Sequence, residues 1–181
     1  AKRGNERSGE LLHPNSDVEA TDVDGDTALL FAAESGNEKS VELLLPKSDV
    51  NATNKYGYTA LMAAARFGND RSVELLLPNS DVKAANKNGY TALMRAARVG
   101  NEKSVELLLP NSDVKATNNY GNTALMNATK SGNEKSVELL LPKSDVKATD
   151  NRGNTALMYA ARYGNEKFVE LLLPNSDVKA T

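Results

Sequence analysis

Read by polarity alone, the chain repeats a two-beat pattern. An apolar run such as ALMAAARF at 60–67 meets a glycine. A second run, DRSVELLL at 70–77, carries its leucines at its end and passes into the polar stretch PNSDVKAANKN at 78–88. The first run is mostly strong helix formers, and Thr59 before it is a good N-cap. Gly68 suits the left-handed residue that stops a helix, and Asn69 is placed to cap the next one. Pro78 ends that second helix, because proline has no N–H and blocks continuation. Gly89 then permits a tight turn with positive φ. The pattern predicts a turn, a helix near 60–67, a turn, a helix near 70–77 and a loop. Helices this short are unstable alone. Leu61, Met62, Val73, Leu75, Leu76 and Leu77 are therefore expected to be buried against neighbouring segments.

The neighbours are copies. ELLLPNSDVKAT stands at 106–117 and again at 170–181, with near copies at 10–21, 42–53, 74–85 and 138–149, always 32 residues apart. Gly25, Gly57, Gly89, Gly121 and Gly153 keep the same period, each followed eleven residues later by Gly36, Gly68, Gly100, Gly132 or Gly164. All six prolines share one repeat position. A fixed period of this length means a solenoid, in which a continuous core exists only between units. The expected fold is an all-α stack of helix–turn–helix units: a partial unit at 1–21, then full units at about 22–53, 54–85, 86–117, 118–149 and 150–181.

The pattern G-x-T-A-L-M-x-A-A-x-x-G-N-x-x-x-V-E-L-L-L resembles the ankyrin repeat over essentially the whole chain. The resemblance implies an ankyrin-type solenoid with hairpin-like turns and no enzymatic activity. It implies that turn tips and one face of each first helix line a concave groove that grips partner proteins. Three departures stand out. Ala60 and Ala92 occupy the family's proline position, Met62 and Leu30 its histidine position, and the period is 32 instead of 33. Without that histidine, the hydrogen bonds it makes between units are expected to be absent.

Differences between copies point to the same face. Counted from the turn glycine, position −1 is Asp24, Tyr56, Asn88, Tyr120, Arg152, and position +1 is Asp26, Tyr58, Tyr90, Asn122, Asn154. Position +6 is Phe31, Ala63, Arg95, Asn127, Tyr159; position +9 is Glu34, Arg66, Arg98, Lys130, Arg162; position +10 is Ser35, Phe67, Val99, Ser131, Tyr163. Eight of the nine aromatic residues lie at these positions, Phe168 being the ninth. Tyr, Phe and Arg dominate binding hot spots, and a core position would have stayed constant. The candidate partner-binding residues are Asp24, Asp26, Phe31, Tyr56, Tyr58, Arg66, Phe67, Tyr90, Arg95, Arg98, Tyr120, Arg152, Tyr159, Arg162 and Tyr163, and all are expected to be exposed. The competing reading is a structural scaffold, or a designed array without a natural ligand, in which these positions merely drifted.

Composition narrows the function further. The net charge is −2 and the sequence pI about 5.6, which gives no nucleic-acid footprint. There is no Cys, and no apolar run is long enough to span a membrane. The first ten residues, AKRGNERSGE, contain no signal-peptide core, so an intracellular, cytoplasmic protein is expected, and the sequons at Asn51 and Asn127 read as chance matches. The single histidine, His13, has no second histidine or cysteine to form a catalytic set or a metal site. No phosphate-binding glycine loop is present. The repeated Asp17, Asp49, Asp81, Asp113, Asp145 and Asp177 read as turn caps instead of calcium ligands. Glu42, Glu74, Glu106, Glu138 and Glu170, each three residues after a Lys or Arg, read as a solvated ladder of ion pairs. No catalytic residue, metal or cofactor is expected.

The two ends differ. Gly9 and His13 replace the usual Val and Leu, which suits a face with no neighbour. The last copy keeps Val169, Leu171, Leu172 and Leu173, and Phe168 replaces the usual Ser. An apolar strip that includes Phe168 is therefore expected to be exposed there, with a longer parent array or weak self-association of an otherwise monomeric chain. Leu172, with one neighbouring unit, is expected to matter less to stability than the central Leu76.

Overall fold

The computed structural model describes residues 17–176. These contain ten α-helices in five pairs: α1 (Ala28–Ser35) and α2 (Glu38–Leu44), α3 (Ala60–Phe67) and α4 (Asp70–Leu76), α5 (Ala92–Val99) and α6 (Glu102–Leu108), α7 (Ala124–Ser131) and α8 (Glu134–Leu140), α9 (Ala156–Arg162) and α10 (Glu166–Leu172). No helix among them is long and apolar enough to cross a membrane. Gly9, His13 and Asp177 lie outside the described residues.

Each first helix is started by its threonine. The hydroxyl of Thr59 accepts from Met62 N, and Thr27, Thr91, Thr123 and Thr155 do the same one unit apart. Each second helix passes into one 3-10 turn that contains the proline, such as Leu77–Asn79. In three of the five units the following serine gives a partner to a carbonyl at the helix end: Ser80 Oγ donates to Leu76 O at 2.8 Å, and Ser112 and Ser176 do the same, whereas Ser48 and Ser144 do not. The loop aspartates cap turns as the sequence implies, with Lys83 N donating to Asp81 Oδ1 at 3.0 Å.

First helices stack on first helices through α9 and second on second from α2 to α8, and one core runs through the array. Leu61, Met62, Val73 and Leu76 are fully buried, and Leu75 and Leu77 are half-buried against that core. The turn tips are tied by backbone hydrogen bonds between units: Lys55 N to Asp24 O, Lys87 N to Tyr56 O, Asn119 N to Asn88 O and Asn151 N to Tyr120 O, all between 2.8 and 3.1 Å. Contact this close needs a bare backbone. Gly57 has φ +79°, and a Cβ there would lie 2.9 Å from Lys87 N.

A second tie between units differs from expectation. Asn69 makes no cap on α4. Its Nδ2 donates back across the unit boundary to Ala33 O and Glu34 O, both at 2.8 Å, which are carbonyls at the end of α1. Asn101 bonds Ala65 O (2.7 Å) and Arg66 O (3.1 Å) in the same way, and Asn133 bonds Ala97 O and Arg98 O at 2.9 Å. The orphan carbonyls of one helix outcompete the N–H groups of the next for this side chain. Among the described residues only Asn37 and Asn165 cap their own helices, α2 and α10.

The last unit docks differently, and the cause is Phe168. Ser72, Ser104 and Ser136 occupy its position in the interior units and are completely enclosed. A phenyl ring is far larger than that slot, and Thr129 also enlarges this boundary where other units have Ala. Asn165 reaches no carbonyl of α7, and no atom lies within 4 Å of a Cβ built on Gly132, whereas Gly68 and Gly100 meet the next unit's Asn. Phe168 itself is buried, contrary to the expected exposure, because its ring joins the apolar core that runs through the array. Leu172 is as enclosed as Leu76, and both belong to the same core. The free end instead exposes Met158, 53% accessible where Met62, Met94 and Met126 are 1% accessible.

Candidate functional site

The variable positions divide into two layers. Tip residues Tyr56, Asn88, Tyr120 and Arg152 and the helix-edge residues Glu34, Arg66, Phe67, Arg98, Arg162 and Tyr163 are exposed; Asp24 and Lys130 are partly so. Phe31 is exposed as well. Tyr90, Arg95 and Tyr159 are buried, and so are Ala63, Asn122 and Asn127, while Asp26 and Tyr58 are half-buried. The expectation of exposure thus fails for Tyr90, Arg95 and Tyr159. The reason is mutual cover: large side chains at +1, +6 and +9 of adjoining units lie on one another.

Arg95 shows this best. Its guanidinium lies 4.2 Å from the Tyr90 ring centre and 4.9 Å from that of Tyr58, and it donates to the Tyr58 hydroxyl. Arg98 covers the other part of Tyr90 at 5.7 Å, and Arg66 lies 5.2 Å from Phe67. Such cation–π contacts are worth about 0.5–2 kcal/mol each, more when desolvated. Burial lowers the pKa of Arg95; the tyrosine hydroxyls oppose this, and the nearby Arg66 and Arg98 charges add to it.

A second cluster lies between the last two units. The Tyr159 hydroxyl donates to Asp150, whose Oδ1 also accepts from Arg152 N (2.9 Å) and Asn154 N (2.8 Å). Burial opposes ionisation of Asp150, but these hydrogen bonds outweigh it and hold the carboxyl well below the usual carboxylate range. Burial first, then the bond to Asp150, push the Tyr159 hydroxyl up to about 12. Lys130 lies 4.5 Å from the Tyr159 ring centre, its pKa lowered by burial and by Arg98, Arg152 and Arg162, against the pull of Asp150. Asp150 and Lys130 were not among the sequence candidates. The signal was there: Asp150 carries a charge where Asn54, Asn86 and Asn118 make the same turn uncharged.

Two hollows lie among the variable positions. One, of about 170 Å³, lies among Asp26, Glu34, Tyr56, Tyr58, Arg66 and Phe67. The other, of about 300 Å³, lies among Tyr90, Tyr120, Lys130, Asp150, Arg152 and Tyr159. Asp22, Asp24 and Asp26 bring carboxylate oxygens within 4.8 Å of one another. Each carboxylate is already engaged. Asp22 accepts from Asp24 N and Asp26 N, Asp24 pairs with Lys55, and Asp26 accepts from Asn54 Nδ2 at 2.7 Å.

The profile of ankyrin repeats in three copies matches residues 1–86, 46–118, 66–150 and 93–181. The chain belongs to the ankyrin repeat family. Ankyrin repeats are in general protein–protein interaction modules and typically not enzymes. No curated protein matches the chain. Within this ankyrin array the family's usual histidine position holds Leu30, Met62, Met94, Met126 and Met158. Hydrogen bonding between units falls instead to the asparagines and the turn-tip backbone described above.

Proposed function

We propose that the chain binds a partner protein through the face built from turn tips and first helices. The observation that carries this reading is the exposure of large rings: Phe31 48%, Tyr56 51%, Phe67 48%, Tyr120 62% and Tyr163 57% accessible, all on the variable positions. Rings half in water are stabilised little by the fold and are ready to bury area against a partner. Tyr58, Tyr90, Arg95 and Tyr159 are the less exposed layer of this face, in which Tyr90 lies against the exposed Arg98 and Tyr159 against the exposed Arg162. A displayed protein library selected on the wild-type chain supplies the ligand. Tyr56, Phe67 and Tyr120 changed together to Ala should then lose binding, about 2 kcal/mol or more per hot-spot ring, with the melting temperature nearly unchanged. Retained binding, or a loss of several degrees in Tm, refutes the reading.

We further propose weak self-association through the C-terminal unit. Met158, Tyr163 and Leu173 are exposed there, beside a hollow of about 350 Å³ formed by Ala160, Ala161, Gly164 and Val169 among others. Sedimentation should show reversible dimers at millimolar protein that Met158→Gln weakens. A strict monomer at that concentration refutes this.

A further inference from the structure

The partner face differs in charge from the rest of the molecule. The chain carries −2 overall, yet position +9 supplies Arg66, Arg98, Lys130 and Arg162 in four successive units, and Arg152 stands at the tip of the fifth. Among the described residues none of these five is in an ion pair. The second-helix cations behave oppositely: Lys39 pairs with Glu42 (3.7 Å), Arg71 with Glu74 (3.1 Å), Lys103 with Glu106 (3.8 Å) and Lys135 with Glu138 (3.5 Å). Lys167, expected beside Glu170, pairs across units with Glu134 and Glu138.

Four of the five groove cations lie against rings instead of carboxylates. Phe67 lies under Arg66, Tyr90 under Arg98, and Tyr159 under both Lys130 and Arg162, at 4.5–5.9 Å. A ring orients a cation without cancelling its charge. The result is a row of like charges along one face. Such crowding is unfavourable in the free protein and is relieved when anions come between. The first unit is the exception: Asp22, Asp24, Asp26 and Glu34 occupy its turn and helix edge, with no cation at the variable positions.

We infer that the partner's bound segment is an extended acidic stretch of protein whose carboxylates meet Arg66, Arg98, Lys130 with Arg152, and Arg162, one per unit. This rests on the reading of this face as the partner site. First helices in contact stand about 8–10 Å apart, and a segment extended as a polyproline II helix rises about 3.1 Å per residue with three residues per turn, which sets side chains on one face about 9 Å apart. Every third residue therefore faces the next cation, so the recognised pattern is an Asp or Glu at i, i+3, i+6 and i+9. The end that lies over the first unit carries a Lys or Arg opposite the exposed Glu34.

The test uses three labelled probes on the full chain by fluorescence anisotropy at low salt. One is a twelve-residue peptide with Glu at every third position and Ser or Pro between. The second is its Gln counterpart, and the third is a single-stranded oligothymidylate of similar charge. The protein variant is Arg66→Gln, Arg98→Gln, Arg152→Gln and Arg162→Gln together. All four side chains are exposed, and a urea titration confirms that the variant is folded. The Glu peptide should bind wild type at least about tenfold more tightly than the Gln peptide. The quadruple variant should lose about the same factor, each exposed pair being worth roughly twofold to fivefold. Ligands selected from the displayed library should carry the i, i+3 acidic pattern on wild type and lose it on the variant. Equal binding of the Glu and Gln peptides, unchanged binding by the variant, or tighter binding of the oligonucleotide overturns the inference. If library ligands depend on Tyr56, Phe67 and Tyr120 but ignore the four arginines, the partner face stands and its acidic specificity falls.

Discussion

One substitution made at two equivalent positions should have opposite effects. Asn101 and Asn165 both precede a second helix, but only Asn165 caps it, accepting from Phe168 N at 3.1 Å. Asn101 donates both its N–H groups to the end of α3. Asn101→Asp removes two hydrogen bonds at about 0.5–1.5 kcal/mol each. It also sets a carboxylate oxygen where a donor stood, against carbonyls that carry the negative end of the α3 dipole, worth about 0.3–1 kcal/mol more. An acidic residue at the start of α6 gives back a few tenths. The expected net loss is about 2–3 kcal/mol. Asn165→Asp keeps its cap and gains the favourable charge, so it should be neutral or stabilising by up to about 0.5 kcal/mol. Urea titration followed by circular dichroism measures both. With m near 2 kcal/mol/M the Asn101→Asp midpoint should fall by about 1 M or more, while Asn165→Asp stays within error. A neutral Asn101→Asp, or an equal loss at both sites, would mean that the side chain between units contributes nothing and that capping is its whole role.

Two further outcomes are expected. Leu76→Ala and Leu172→Ala should each cost about 2–5 kcal/mol, since both leucines are fully enclosed; a clearly smaller loss at Leu172 on urea titration would show that the last helix is only loosely docked. Asp150→Asn retains the turn that Asn118 makes but removes the ionised group. Because the folded carboxyl of Asp150 titrates below its ordinary value of about 4, its charge stabilises the fold above that pH and ceases to do so as pH falls toward the folded value. The stability gap between wild type and Asp150→Asn should therefore shrink steadily below about pH 4; a gap unchanged by acid refutes the ionised assignment.

The skeleton was legible because it is periodic. Thr59, Gly68 and Pro78 act locally, and their roles follow from hydrogen-bonding capacity and allowed φ alone. Burial of Leu61, Met62, Val73 and Leu76 followed from the need of short helices for neighbours. Asn69 was misread because a cap and a tie between units use the same residue at the same place, and only the position of the preceding helix decides between them. Tyr90, Arg95 and Tyr159 were misread for a related reason. Variability marks positions free of the shared core, but it does not reveal that variable side chains can bury one another. Exposure at Tyr56, Phe67 and Tyr120 was legible, since nothing in the pattern lies over a turn tip or the last turn of a first helix.

Two kinds of variation are therefore at work, with different physical consequences. A change at a tip such as Tyr56 or Arg152 alters what the surface offers while the bonds that stack the units remain, because those bonds use backbone atoms. The single change to Phe168 acts in the other direction. It offers nothing to a partner, being enclosed, but removes the Asn165 tie and opens the space beside Gly132. Each exposed ring or cation, such as Tyr56, Tyr120 or Arg152, can thus be exchanged at little cost to the stack, whereas one side chain in the second-helix slot accompanies a change in how two units meet. An array that keeps Ser in that slot and varies only its groove can change its specificity unit by unit without changing its shape. In this chain the groove positions vary in all five full units, while the slot departs from Ser only at Phe168.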